Sequence, residues 1–160
     1  MGVGSWGPDM SRWINTNRLV LNEYSSLMGG ALFTQSAQVL AEYDDNEPIA
    51  IAVFDQYNGK SIHLHVWIAK GRRVSRTFWW AGHDYLFRQL GVEHVYSPVS
   101  SFNRSAIKLV ENLGYELIST LPDYYSDGSD CLMYHGTEKM ATHWPHLKAR
   151  ATPAIYREEA

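Results

Sequence analysis

The segment Lys70-Gly71-Arg72-Arg73-Val74-Ser75-Arg76 carries four cations in seven residues, and no acidic residue occurs between Asp55 and Asp84. In a chain with a formal net charge of −3 this is a local concentration of positive charge. It falls where a strand is expected to end and a helix to begin. There, unpaired N–H groups and the positive end of the helix dipole already favour an anion, and phosphate is the natural guest. A solvated basic turn is the competing reading, and a P-loop is excluded because the G-x-x-x-x-G-K-[ST] spacing is missing. Just upstream, His63, His65 and Trp67 alternate with Ile62, Leu64, Val66 and Ile68. In a strand this alternation puts two imidazoles on one face, and imidazole is the side chain that exchanges protons near neutral pH. The competing reading is a partly exposed strand face with structural histidines.

Other reactive residue types lead less far. The single cysteine, Cys131, cannot form an internal disulfide or a cysteine-based zinc site, and its place in an apolar strand predicts inert packing. Among the seven histidines, His143-x-x-His146 has a spacing that could hold a metal, but Pro145 interrupts any helix that would align the pair, so no metal is expected. Trp79-Trp80 either packs a helix or lines a pocket.

These residues need a scaffold, and 160 residues suit one domain. With 45% hydrophobic residues, 19% charged residues and 6 Trp, 10 Tyr and 5 Phe, the chain has ample material for a core. The net negative charge disfavours a nucleic-acid partner, and the longest uncharged apolar run, Pro48 to Phe54, is far too short to span a bilayer. No secretory leader is recognised, so the expected compartment is the cytoplasm.

Pro8 and Asp9 are read as opening a helix through Trp13 and Ile14 towards Leu21, broken at Gly29-Gly30. Ala37–Tyr43, Ile49–Phe54 and Ser61–Ala69 read as an antiparallel meander, turning at Asp44–Pro48 and at a tight Asn58-Gly59 hairpin. Val74, Phe78, Ala81 and Tyr85 then recur with helical period, predicting a helix over Arg76–Leu90 with Ser75 as N-cap and Gly91 beyond its end. A strand at Glu93–Val99, a helix at Asn103–Leu113 stopped by Gly114, and strands at Tyr115–Leu121 and Cys131–Thr137 complete the core. The tail after Glu138 is not expected to add a strand. The sum is a single α+β domain over 1–160, with a core at about 37–137 and an extension over 138–160.

The line from Tyr85-Leu86-Phe87-Arg88-Gln89-Leu90-Gly91-Val92 through Val95 to Asn103, Ala106 and Leu113-Gly114-Tyr115-Glu116 resembles the GNAT N-acetyltransferase superfamily, most of all its bacteriophage-type members. The weight lies in the order strand, Asn-x-x-Ala helix, Gly-Tyr, strand. The resemblance covers roughly Ala37 to Trp144 and implies a mixed sheet whose central strands splay apart, flanked by helices.

It further implies acetyl-CoA as co-substrate, lying between the third and fourth predicted strands. Arg72, Arg73, Val74, Ser75 and Arg76 would meet its phosphates, and the backbone of Val66, Trp67 and Ile68 its pantetheine arm. Asn103 and Ala106 would face the thiol end. Pro98 supports the splay independently, since proline cannot donate to a ladder. The usual glycine-rich phosphate pattern is absent, and the tyrosine that commonly protonates the leaving thiolate is replaced by Val110. Direct transfer needs a base to free the attacking amine, and His65 is preferred, with Glu42 acting through water as a second candidate. Tyr124, Tyr125 or Tyr134 would then supply the acid. The expected function is acetyl transfer to a primary amine, with no nucleic-acid or membrane partner and a homodimer left open. The alternatives are a non-catalytic GNAT-like phage structural or host-interaction protein, and a binding module for a phosphorylated small molecule.

Overall fold

A computed structural model describes residues 12–18, 21–28, 30–141 and 156–157. Pro8, Asp9, Gly29, His143 and His146 lie outside them. The strands are β1 (Arg12–Asn15), β2 (Gln38–Asp44), β3 (Glu47–Asp55), β4 (Ser61–Ile68), β5 (His94–Ser100), β6 (Glu116–Leu121), β7 (Cys131–Gly136) and β8 (Tyr156–Arg157). The helices are α1 (Leu21–Leu27), α2 (Arg76–His83), which runs on into a π-helical turn over Asp84–Gln89, and α3 (Arg104–Asn112). The strands form one sheet in the order β6-β7-β5-β4-β3-β2-β1-β8. Only β4–β5 and β1–β8 are parallel pairs.

The meander is present and is one strand longer than expected. Arg12–Asn15 is a strand, not a helix, because its residues serve opposite sides of the sheet in turn. Trp13 stacks on Tyr43 at 4.5 Å on one face, while Ile14 is fully buried in the core of the other. The β3–β4 connection is a loop over 56–60. Of the two expected hairpin residues Gly59 takes a positive φ and Asn58 does not; Asn58 Oδ1 instead accepts from the N–H groups of Lys60 and Ser61. The single expected helix over Arg76–Leu90 divides because Leu90 N–H reaches back five residues to Tyr85 O at 2.9 Å. That wider turn lets the adjacent Leu86 and Phe87 both enter the core. The tail also adds a strand after all, since Tyr156–Arg157 pairs with Ile14–Asn15.

Two cores result. The larger lies between the sheet and α2 and α3, around Leu40, Phe54, Leu64, Phe78, Leu86, Val95 and Val110. The smaller lies under α1 on the opposite face, around Tyr24, Val39, Ile51 and Val53. Gly114 and Gly136 close the larger one. A Cβ on Gly114 would stand 2.2 Å from Met140 O, and one on Gly136 would stand 2.2 Å from the buried Tyr115 ring.

Candidate functional site

β4 and β5 are paired only at Ser61–His94, Ile62–Val95 and His63–Tyr96. Beyond that register they diverge to Ile68 and Ser100, leaving a V-shaped opening in the middle of the sheet. Its apex is tied by Ser97 Oγ, which donates to Leu64 O at 2.7 Å. Ladder alternation shows which groups face the gap. Ala69 N–H bonds Ile49 O at 2.9 Å, so His65 and Trp67 direct their backbone groups to β3, and Val66 and Ile68 direct theirs into the opening. On the other side Ser101 N–H bonds Asp130 O at 2.9 Å, which turns Ser97 and Val99 to β7 and Pro98 to the gap. Proline costs nothing there, since no ladder partner faces it.

At the open end of β4 lies the basic turn. Ser75 caps α2 as predicted, its Oγ accepting from Phe78 N–H at 3.1 Å. The turn is tied to the sheet by charges that sequence reading did not connect. Glu42 is fully buried at a β-bulge in β2, and both its oxygens accept from Ser75 N–H, at 3.2 and 3.0 Å. Arg12 Nη1 donates to Glu42 Oε2 at 3.2 Å and to Arg73 O at 3.1 Å. Burial pushes the Glu42 carboxyl above the usual range, against the pull of Ser75 and Arg12. Glu42 is therefore an anion built into the helix start, at the opposite end of the opening from its apex. Arg72 is also engaged, with Asp44 at 2.5 Å and Glu47 at 3.5 Å. Lys70, Arg73 and Arg76 are exposed and carry no ion pair among the described residues, so they are the cations the turn leaves unpaired. Val74, Trp79 and Trp80 pack against the larger core, which answers the question about the tryptophans in favour of packing.

On the β5 side, Asn103 stands at the open end and caps α3, its Oδ1 accepting from Ala106 N–H at 3.1 Å. Ala106 and Val110 are core residues. Tyr134, on β7, faces α3. Its hydroxyl donates to Glu111 Oε1 at 2.8 Å, and burial together with that carboxylate raises its pKa to about 12. Tyr124 is exposed on the β6–β7 loop, edge-on to Tyr125 at 4.9 Å, and Tyr125 donates to Cys131 Sγ at 3.7 Å. Cys131 is buried, as expected.

At the apex, His63 and His65 project to the α1 side of the sheet. Burial, with the neighbouring His63 charge, lowers the His65 pKa to about 4 against an opposing pull from Asp55, so His65 is neutral at pH 7. Asp55 is itself buried. That burial raises its pKa, but hydrogen bonds from Thr34 Oγ1, Thr34 N–H and Gln56 N–H outweigh it and hold the carboxyl below its ordinary value. Tyr96 and His135 were missed at the sequence level. The alternation His94-x-Tyr96 was legible, but not the register that lays it beside β4. No group of three or more metal-binding side chains occurs among the described residues.

No protein-family model and no curated protein matches the chain. Solved structures do. Spermidine/spermine N-acetyltransferase SpeG from Vibrio cholerae, in complex with manganese ions, superposes with a TM-score of 0.65 over 84% of this chain and 97% of its own, at 15% identity. A dodecameric structure of the spermidine N-acetyltransferase from the same organism gives 0.63 over 81% and 95%, also at 15% identity. A candidate acetyltransferase from T. thermophilus gives 0.61 over 81% and 72%, at 17% identity. Similarity at this level speaks to architecture, and the chain has the GNAT-like α+β fold, a mixed sheet flanked by helices.

Proposed function

We propose that the chain is an N-acetyltransferase that moves the acetyl group of acetyl-CoA directly to a primary amine. The observation that carries this is the splay of β4 from β5, which leaves the backbone groups of Val66 and Ile68 unpaired beside a basic helix start. Such a strand edge accepts an amide-bearing chain as a further strand would be accepted, which suits the pantetheine arm. The diphosphate end suits Arg73, Arg76 and the first N–H groups of α2 that Glu42 and Ser75 leave free. With Arg72 and Ser75 N–H bound internally, fewer groups serve the phosphates than the sequence suggests.

An acceptor amine is an ammonium at neutral pH and must lose a proton before its lone pair attacks the thioester carbonyl. His65, neutral at pH 7, and its neighbour His63 are the proton acceptors at the apex, on the side of the sheet opposite α2. Unpaired strand N–H groups are the donors available to the developing oxyanion. Nitrogen gains the acetyl group and gives up its second proton, and the thiolate of CoA leaves and is protonated, so no covalent enzyme intermediate is needed.

The test is a thermal melt with saturating acetyl-CoA, free CoA or ATP. A ligand at about 100 times its Kd adds roughly 2.7 kcal/mol, a rise of several degrees for a domain of this size. A shift with both CoA forms and none with ATP is expected. No shift with acetyl-CoA overturns the reading.

A further inference from the structure

The face of the sheet beside the apex is paved with planar side chains. From the loop after α1 the series runs Phe33 to His65 at 5.3 Å between ring centroids, His65 to His63 at 6.4 Å and His63 to Tyr96 at 6.4 Å. It continues from Tyr96 to His135 at 5.2 Å and from His135 to His94 at 5.1 Å. The registers explain the continuity, since His63 lies opposite Tyr96 and Tyr96 opposite His135 across three adjacent strands. All six residues are partly exposed, and the series begins where the cover provided by α1 ends.

The charges around this face are nearly all committed. Asp55, in register with His63, has its oxygens taken by Thr34 and Gln56. Glu93 pairs with Lys60 at 3.5 Å and lies 4.0 Å from His94, at the end of the series away from the opening. Glu116, opposite His135, is on the edge strand β6. His94 Nδ1 and His135 Nε2 are 2.9 Å apart and share one hydrogen bond. Near His63, His65, Tyr96 and Phe33, then, ring faces and imidazole nitrogens are on offer and no free carboxylate is present among the described residues. Ring faces hold a flat apolar group and a single ammonium well. A second ammonium there would be stripped of water with only Asp55 near, whose oxygens Thr34 and Gln56 already occupy.

We propose that this ring-paved face receives the acceptor, and that the acceptor is a primary amine on a short arm from an aromatic or heteroaromatic ring, with no second cationic group. This rests on the acetyl-transfer reading above. The acceptor's ring lies among Phe33, Tyr96 and the imidazoles, and its amine is brought to His63 and His65 at the apex.

Binding of 2-phenylethylamine, tyramine and spermidine to the CoA-loaded full chain, followed by NMR of the histidine and tyrosine rings, tests this. The aromatic amines are expected to bind at least about tenfold more tightly than spermidine and to move the His63, His65 and Tyr96 signals, since each ring contact is worth roughly two- to tenfold. Phe33→Ala, at a half-exposed loop position, and Tyr96→Leu should each weaken tyramine binding by a factor of that size while leaving the CoA-induced melting shift unchanged. Spermidine binding as tightly as tyramine, or tyramine binding without moving those signals, overturns the proposal while leaving the acetyl-transfer reading standing. Loss of the acetyl-CoA melting shift in the unaltered protein overturns both.

Discussion

The two ends of β4 are built on opposite principles. At Ile68 the strand runs into a turn held by internal pairs, Arg12 with Glu42 and Arg72 with Asp44 and Glu47, with Ser75 N–H also bound to Glu42. At His63 and His65 it presents partly exposed imidazole rings beside Phe33 and Tyr96 that carry no ion pair among the described residues. Charge that is balanced inside the protein holds a backbone in place and is largely unavailable to a ligand. Polar rings left partly exposed and without ion pairs remain free for recognition. The helix start is thus pre-shaped by an internal anion, while the apex awaits its partner.

The largest effect should come from breaking the internal anion. Glu42→Ala leaves Arg12 beside a buried, unpaired N–H, and loss of one partner of a buried pair costs about 3–5 kcal/mol. Urea unfolding should therefore show a sharply lower midpoint. An unchanged midpoint would mean that the pairing at this end is ornamental.

Next in size is a pH effect at the other end. The folded His65 pKa of about 4 lies below the ordinary 6.5, so as pH falls below 6.5 the unfolded chain binds a proton that the folded one refuses. Stability present above that pH is therefore lost progressively down to about 4, on the order of 3 kcal/mol in all. His65→Gln should flatten this acid limb in denaturation curves recorded from pH 7 to pH 4. In an acetyl-transfer assay it should lower kcat with little change in CoA affinity.

The smallest effects separate the arginines of the turn. Removing the exposed pair, Arg73→Ala with Arg76→Ala, should weaken CoA binding by about tenfold and leave stability within ~0.5 kcal/mol. Arg72→Ala should do the reverse, costing about 1 kcal/mol of stability with little effect on CoA, because its guanidinium serves Asp44 and Glu47. Calorimetric titration and melts on the same samples read both quantities. Equal behaviour of the three arginines would erase the distinction between paired and free charge on which the comparison rests.

Much of the scaffold was legible because its signals are local. Apolar runs between turn residues marked β2 and β3, alternation marked β4, helical period marked α2 and α3, and Ser75, Asn103, Gly91 and Gly114 stand at the caps and helix ends where their backbone preferences put them. What failed depended on distant partners. Arg12–Asn15 is too short to show a period, and only its place between β2 and β8 makes it a strand. The π-helical turn answers to core packing, which no spacing records. At the candidate site, the imidazole pair on β4 and the basic turn were visible in the chain, whereas the partners of Arg72, the task of Glu42 and the neighbours Tyr96 and His135 were not.

The amino-acid sequence by itself determined the order of elements from β2 to β7, most of their ends, the cationic turn and the placing of His63 with His65 on one strand face, because propensity, capping and side-chain period act over a few residues. The tertiary structure alone decided which charges cancel and which rings meet. Those outcomes depend on strand register and on the point where β4 parts from β5, and they join residues as far apart as Arg12 and Arg73.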